Sequence, residues 1–456
     1  MKEEKKRGLS TTQVMAMGFF TAILIGTVIL MLPVCSADGE VTGFVDALFT
    51  ATTSVCVTGL VVVDTFSHWS TIGHVVILIL IQCGGLGIIT LTTAVMVIIG
   101  KKVTLKDRMV LQDAFNLNTL GGLVKFLKKI IKGTFVVEGI GALCYMFVFV
   151  PDYGLRGIWI SVFTAVSAFC NAGIDLIGST SLTPYVGNVW LNLVTMLLII
   201  IGGIGFIVWW DVIDVVKRIK KGEIHIRNFF RKLTLHSHIV IVATLGLIIG
   251  GAVIIFMMEY TNPETIGNMS FGQKILASFF QSVTTRTAGF FTISQKGLRD
   301  TTAFFCIILM FIGGSPVGTA GGIKTTTVAL LLIVAYSVAR GYETTSIFKR
   351  RIPEKTIKKA LAVVMVSMFI LFVMICLVSV TNNGEFMDVA YETTSAIATV
   401  GLTRNFTGTL NMAGKLIITF CMYLGRIGPI SLVILFNFKN SSKSMLIYSE
   451  EDITVG

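Results

Sequence analysis

The sequence predicts an all-α polytopic membrane protein: four pseudo-symmetric repeats, each a membrane helix, a pore helix, a filter segment and a second membrane helix, set around one central pore. Three observations predict it. Of 456 residues, 54% are hydrophobic and 14% charged, against about 25% charged in a soluble domain, and the mean hydropathy is +0.83. Apolar stretches that approach or exceed the roughly 20 residues needed to cross a bilayer fall near 15–33, 72–99, 130–150, 187–210, 238–258, 302–335, 360–380 and 411–436. A short signature also recurs four times at even spacing.

The first stretch follows a basic head, Met1 to Arg7, with no small-residue cleavage pattern after it, so it reads as a span rather than a secretory signal. Of the 37 lysines and arginines, 28 lie in the termini and alternate connectors and seven in the opposite loops, while Lys324 and Arg426 fall inside apolar territory. The positive-inside rule then puts both termini on the cytoplasmic side of a cell membrane. The net charge of +12 sits beside span ends, where it fixes topology and meets anionic lipid in the bilayer; it is not a nucleic-acid footprint. The eight cysteines show no C-x-x-C spacing and read as reduced packing residues; Cys35, near an outer loop, has no evident partner.

The recurring segments are TSVCVTGL (53–60), AFCNAGI (168–174), TTRTAGF (284–290) and SAIATVGL (395–402). Their glycines, Gly59, Gly173, Gly289 and Gly401, are 114, 116 and 112 residues apart, so four units of about 114 residues fill the chain. The units run 1–110, 111–225, 226–345 and 346–456. A second marker follows each glycine in step: Gly84-Gly85-Leu86-Gly87, Gly202-Gly203-Ile204-Gly205, Gly313-Gly314-Ser315-Pro316 and Gly425-Arg426-Ile427-Gly428. Between the long spans of each unit lies an apolar run too short to cross, which reads as a re-entrant helix. The irregular backbone after it is tolerable only where it lines a cavity.

These segments suit a cation. A ring of backbone carbonyls replaces a hydration shell without fixed charge, glycine reaches the dihedrals that turn carbonyls inward, and the C-terminal ends of four short helices present negative dipole ends. The expected filter is Val57-Thr58-Gly59, Asn171-Ala172-Gly173, Thr287-Ala288-Gly289 and Thr399-Val400-Gly401. The last matches the start of T-V-G-Y-G, but Leu402 stands where Tyr would be and the second glycine is missing, which implies a shorter filter. Asp64, Asn171, Asp175, Arg286 and Glu392 are candidates for its outer mouth, and Arg286 would need an acidic partner there.

In the third unit the second span is interrupted by Gly313, Gly314, Ser315, Pro316, Val317, Gly318, Thr319, Ala320, Gly321, Gly322, Ile323 and Lys324, a tract no helix runs through. The break reads as specific to this unit and as a gate. Arg426 is expected to latch it by donating to its carbonyls. A phosphate loop is excluded because Ile323, not Gly, precedes Lys324. Glu138, the one acid well inside a span, would be the basis of a proton-coupled carrier. The five histidines offer no H-E-x-x-H spacing, and the inner connectors have no room for an ATP-binding domain, so no enzyme is expected.

At these residues the sequence resembles the Trk/Ktr/HKT superfamily of potassium transporters, and within it the membrane subunit of bacterial Ktr systems. The likeness spans the chain through the four filter segments, GGSPVGTAGGIKTTT at 313–327 and LGRIGPISL at 424–432. The Trk branch usually carries further N-terminal spans, which are not seen here. In the plant relatives a serine in the first filter segment goes with sodium permeation; Gly59 stands here. The resemblance implies potassium uptake through a gated, channel-like pore, with a sodium-permeable or proton-coupled transporter as the alternative. It also implies a homodimer with one pore per subunit and a separate cytosolic nucleotide-binding regulatory ring. No cofactor held by this chain is implied: potassium is the cargo, and the sodium activation of some members has no visible signature.

Overall fold

A computed structural model describes residues 11–87, 123–342, 344–348 and 350–428, with positions 90, 93, 109 and 112 between the first two blocks. The basic head, the end of the second apolar stretch, much of the connector at 101–132 and the chain past Gly428 lie outside the described residues. Between its loops, the described chain is helical apart from two isolated bridges and a hairpin of two-residue strands, Ser346–Ile347 with Arg350–Arg351.

The same order of elements recurs in each quarter. The first holds α1 (Thr11–Leu30), the half-length α2 (Phe44–Cys56) and α3 (Thr71–Leu86). The second holds α4 (Leu123–Tyr153), the half-length α5 (Arg156–Cys170), α6 (Val189–Gly203) and α7 (Phe206–Lys220). The third holds α8 (Leu235–Glu259), the half-length α9 (Phe271–Thr284), α10 (Asp300–Phe311) and α11 (Thr325–Ala339). The fourth holds α12 (Glu354–Thr381), the half-length α13 (Phe386–Ala398) and α14 (Met412–Ile427). Side-chain caps start three of the second spans: Ser70 accepts from Gly73 N, Asn188 from Leu191 N and Asn411 from Gly414 N.

Among the described residues, the leading helices α1, α4, α8 and α12 are each long and apolar enough to cross a membrane. One expectation needs correction: the break is not specific to the third quarter, because α6 and α7 meet at 100°. The cause is the last glycine of the marker, which takes φ of 84° at Gly87, 95° at Gly205 and 88° at Gly428 and ends the helix there. In the third quarter Pro316 holds that position, and the chain leaves the helix sooner, at Phe311.

The first marker glycine has a packing reason. A Cβ at Gly84, Gly202 or Gly425 would overlap the carbonyl oxygen of Val55, Phe169 or Ile397, each in the last turn of a half-length helix. Only glycine lets these backbones approach so closely, as small residues do between membrane helices generally. The half-length helices are buried almost throughout, while the leading helices expose Phe147, Ile249, Phe369 and Val380 outward, the surface that a lipid tail would cover.

Each second span packs on the half-length helix of the next quarter: α3 on α5, α6 on α9, α10 on α13, and α14 on α2. The last contact closes the series into a ring, and Lys415 fastens it with an ion pair to Asp46 at 2.6 Å.

Candidate functional site

Four irregular segments converge at the ring's centre. Just past each half-length helix a residue adopts the left-handed region: Val57 at φ 57°, Asn171 at 60°, Thr287 at 71° and Thr399 at 53°. Two residues later a glycine again has positive φ: Gly59 at 97°, Gly173 at 63°, Gly289 at 88° and Gly401 at 95°. A Cβ on Gly59 would lie 2.5 Å from Ala172 O, one on Gly173 2.5 Å from Ala288 O, and one on Gly289 2.6 Å from Val400 O. A Cβ on Gly401 would overlap Thr58 O, which returns the sequence of contacts to the first segment. Four glycines 112 to 116 residues apart in sequence thus touch around one axis.

Positive φ in the β-branched Val57, Thr287 and Thr399 is unfavourable and persists because the surroundings over-determine it. Thr58 N donates to Thr53 O, Ala172 N to Ser167 O and Val400 N to Ser395 O, each at 2.8 Å. Side chains add to this. Gly59 N donates to Thr53 Oγ1 at 2.9 Å, Gly401 N to Ser395 Oγ at 3.0 Å and Ile174 N to Ser167 Oγ at 3.1 Å. In the third quarter Thr284 Oγ1 instead donates to Phe290 O at 2.5 Å. Sequence reasoning missed these hydroxyls, although Thr53, Ser167 and Ser395 all stand six residues before the key glycine.

The tract from Gly313 to Lys324 lies against the inner ends of the half-length helices, between the other markers. Thr319 Oγ1 donates to Phe169 O at 3.1 Å, Ser315 N to Gly203 O at 2.9 Å and Thr319 N to Gly202 O at 3.2 Å. A Cβ on Gly321 would collide with Thr399 Oγ1, so the loop reaches the filter-candidate segment of the fourth quarter. Arg426 Nη1 donates to Thr319 O at 2.6 Å, while Nη2 donates to Gly84 O and, at 3.5 Å, to Gly85 O. One guanidinium therefore joins the first, third and fourth quarters. Lys324 Nζ is turned back onto Ala320 O at 2.8 Å and ties the loop to itself.

Two of the outer-mouth candidates are elsewhere. Arg286 and Asn171 lie on the side of the key glycines that faces the second markers: Arg286 borders Gly203, Ile204 and Gly314, and Asn171 approaches Gly203. No carboxylate pairs with Arg286 among the described residues; its Nη1 donates to Thr244 O at 3.5 Å, and it lies where the negative dipole end of α9 favours a cation. Asp64, Asp175 and Glu392 brace the backbone beyond the glycines: Asp64 accepts from Ser67 N, Asp175 from Ser181 Oγ at 2.6 Å, and Glu392 from Thr403 Oγ1 at 2.6 Å and Thr407 Oγ1 at 2.5 Å. Glu138 is buried and accepts from Gln82 Nε2 at 3.2 Å.

The family model for TrkH, described as cation transport protein, matches residues 5–447. The chain belongs to the TrkH family. It is 40% identical over 445 residues to the Ktr system potassium uptake protein B of Bacillus subtilis, covering 97% of this chain and 96% of that one. The potassium/sodium uptake protein NtpJ of Enterococcus hirae is 39% identical over 462 residues, all of this chain and 99% of its own. The crystal structure of the potassium transporter TrkH from Vibrio parahaemolyticus shares the fold at a TM-score of 0.74 and 15% identity, over 96% of this chain and 86% of that one. Membership makes this TrkH-family chain a transporter and not an enzyme.

Three residues past Gly401, the TrkH-family chain carries a buried ion pair. Arg404 lies 2.9 Å from Asp388 on α13 and 3.2 Å from Asp300 at the start of α10. Lys296 joins it at 2.5 Å from Asp388 and 3.5 Å from Glu385, and its bond to Asp388 holds the ammonium above the usual lysine range. Asp388→Ala leaves Arg404 buried without its main partner and is expected to cost about 3–5 kcal/mol, read as a lowered midpoint of thermal unfolding in detergent.

Proposed function

We propose that this chain takes up potassium across the cell membrane through a gated, channel-like pore. The observation that carries the reading is the closed ring of Gly59, Gly173, Gly289 and Gly401, each with positive φ and each in backbone contact with the next. The carbonyls of Val57 to Gly59, Asn171 to Gly173, Thr287 to Gly289 and Thr399 to Gly401 exchange for the hydration shell of a dehydrated monovalent cation. The C-terminal dipole ends of α2, α5, α9 and α13 add negative potential at the inner end. The ions are transported rather than held as a cofactor.

Below the filter, the loop from Gly313 to Lys324 is the gate, and Arg426 is its latch in the closed state. The basic connectors support an orientation with both termini in the cytoplasm. The name of the Bacillus subtilis relative, a component of a Ktr system, supports a membrane subunit that works with a separate regulatory protein, here a cytosolic nucleotide-binding ring, and as a homodimer. A second reading, sodium permeation, is favoured by the potassium/sodium uptake named for the Enterococcus hirae relative.

The test is rubidium and potassium uptake in a bacterial strain deficient in its own potassium transport. Expression of this chain is expected to restore growth at low potassium, with uptake that excess sodium does not suppress. Sodium uptake at an equal rate would favour the second reading, and no uptake of either ion would overturn both.

A further inference from the structure

The interrupted second span of the third quarter leaves a crevice between α8 and α11. It has a volume of about 370 Å³ and is lined by Val242, Gly246, Ile312, Thr325, Ala329 and Phe348, among others, which is within the size range of ligand sites, about 300–1,000 Å³. The wall is apolar, and Val242 and the neighbouring Leu332 are exposed outward. Gly246 faces open space: a Cβ there would meet nothing within 4 Å.

One end of the crevice is cationic. Ile347 and Phe348 of the hairpin close it, Phe348 stacks on His238 at 3.8 Å, and Ile347 pairs in register with the exposed Arg350. The stretch 340–359 holds seven lysines and arginines against two glutamates. An apolar slot with a basic lip matches a molecule with a hydrocarbon tail and an anionic head.

The other end reaches the stems of the gate loop. Ile312 is bridged to Ile323, Thr325 Oγ1 shares a hydrogen bond with Ser315 Oγ at 2.9 Å, and Thr325 N donates to Gly314 O at 3.0 Å. A guest in the crevice therefore touches both strands that must move if the loop does.

We propose that the crevice binds one acyl chain of an anionic phospholipid, with its headgroup on Arg350 and Arg351, and that occupancy biases the gate loop. The binding half stands on the crevice alone; the gating half rests on the gate assigned above. A ligand shifts such an equilibrium only through unequal affinity for the two loop states, and contact with Ile312 and Thr325 supplies that inequality.

The experiment reconstitutes the full-length protein into vesicles of phosphatidylcholine alone or mixed with phosphatidylglycerol. Each lipid is tested with a photoreactive group on its acyl chain, and rubidium flux is measured in parallel. Phosphatidylglycerol is expected to label peptides of α8 and α11 in preference to phosphatidylcholine, with the labelling lost in Gly246→Trp and in Arg350→Gln/Arg351→Gln. Flux is expected to differ roughly fivefold between the two vesicle types in the wild type and to be independent of phosphatidylglycerol in both variants. Equal labelling by the two headgroups, meaning ordinary bilayer contact, overturns the proposal. So does a crevice left unlabelled because a second copy of the chain covers it. Labelling as expected with flux indifferent to lipid overturns the gating half. Flux absent from every vesicle strikes the potassium reading instead, while the labelling still decides the site.

Discussion

Gly401→Ser is expected to lower potassium uptake roughly ten- to hundredfold while leaving the protein folded and in the membrane. The side chain would be placed at φ 95°, where a residue with a Cβ is strained, and its Cβ would overlap Thr58 O and lie 2.8 Å from Gly59 Cα. Both neighbours are backbone in the adjoining segment, so no flexible side chain can yield. Strain of this kind costs about 1–3 kcal/mol, and each 1.4 kcal/mol is about tenfold in an equilibrium. The strain falls on the segment proposed to dehydrate the ion. Gly139→Ser on α4 is the control, because a Cβ there meets nothing within 4 Å. Rubidium uptake measured at matched membrane expression decides the matter; equal uptake by Gly401→Ser and wild type would remove the ring from the ion pathway.

Arg426→Ala is expected to raise flux in the absence of any regulatory partner by about tenfold or more. The guanidinium holds Thr319 O of the loop and Gly84 O of the first quarter at once, and a hydrogen bond to a charged group contributes roughly 1.5–3 kcal/mol. Removing it frees the loop on the side facing α14 and α3, while the bonds of Ser315 and Thr319 to Gly203 and Gly202 remain. Arg426→Lys keeps the charge but loses the planar fork that reaches two carbonyls, so an intermediate flux is expected. Rubidium efflux from proteoliposomes is the measurement. Unchanged flux and unchanged regulation in Arg426→Ala would show the residue to be a structural brace only.

The repeat was readable because its period is carried by residues with no substitute. Gly59, Gly173, Gly289 and Gly401 stand where a Cβ would strike the neighbouring segment, and Gly84, Gly202 and Gly425 stand where one would strike a half-length helix. Constraints of that kind leave a mark in sequence. The left-handed conformation of Val57, Asn171, Thr287 and Thr399 did not, because none is a glycine and three are β-branched residues that disfavour positive φ; they are held there by backbone bonds to the preceding helix turn. Arg286 was misplaced for a related reason. Chain order sets it beside the filter candidates, but whether it lies at the inner or outer end depends on which way α9 descends.

The break in the second quarter was overlooked because Gly202-Gly203-Ile204-Gly205 lacks the proline and the length of the tract after Phe311. A single glycine at φ 95° suffices to turn the chain by 100° when Val317 O receives the N–H of Phe206 on its far side. That acceptor lies 111 residues further along the chain, so no local reading could supply it.

By itself the sequence determined that this chain lives in a membrane, that it is built of four like units, and that one glycine in each belongs to a common feature; hydropathy and steric necessity are properties of residue types and survive being read in a line. Tertiary structure alone decided that the fourth unit closes on the first, that the guanidinium of Arg426 spans three quarters, and that the crevice beside α11 has a basic lip. Those facts are contacts between residues far apart in the chain, and a hydrogen bond or a packed carbonyl has no signature until both partners are in place.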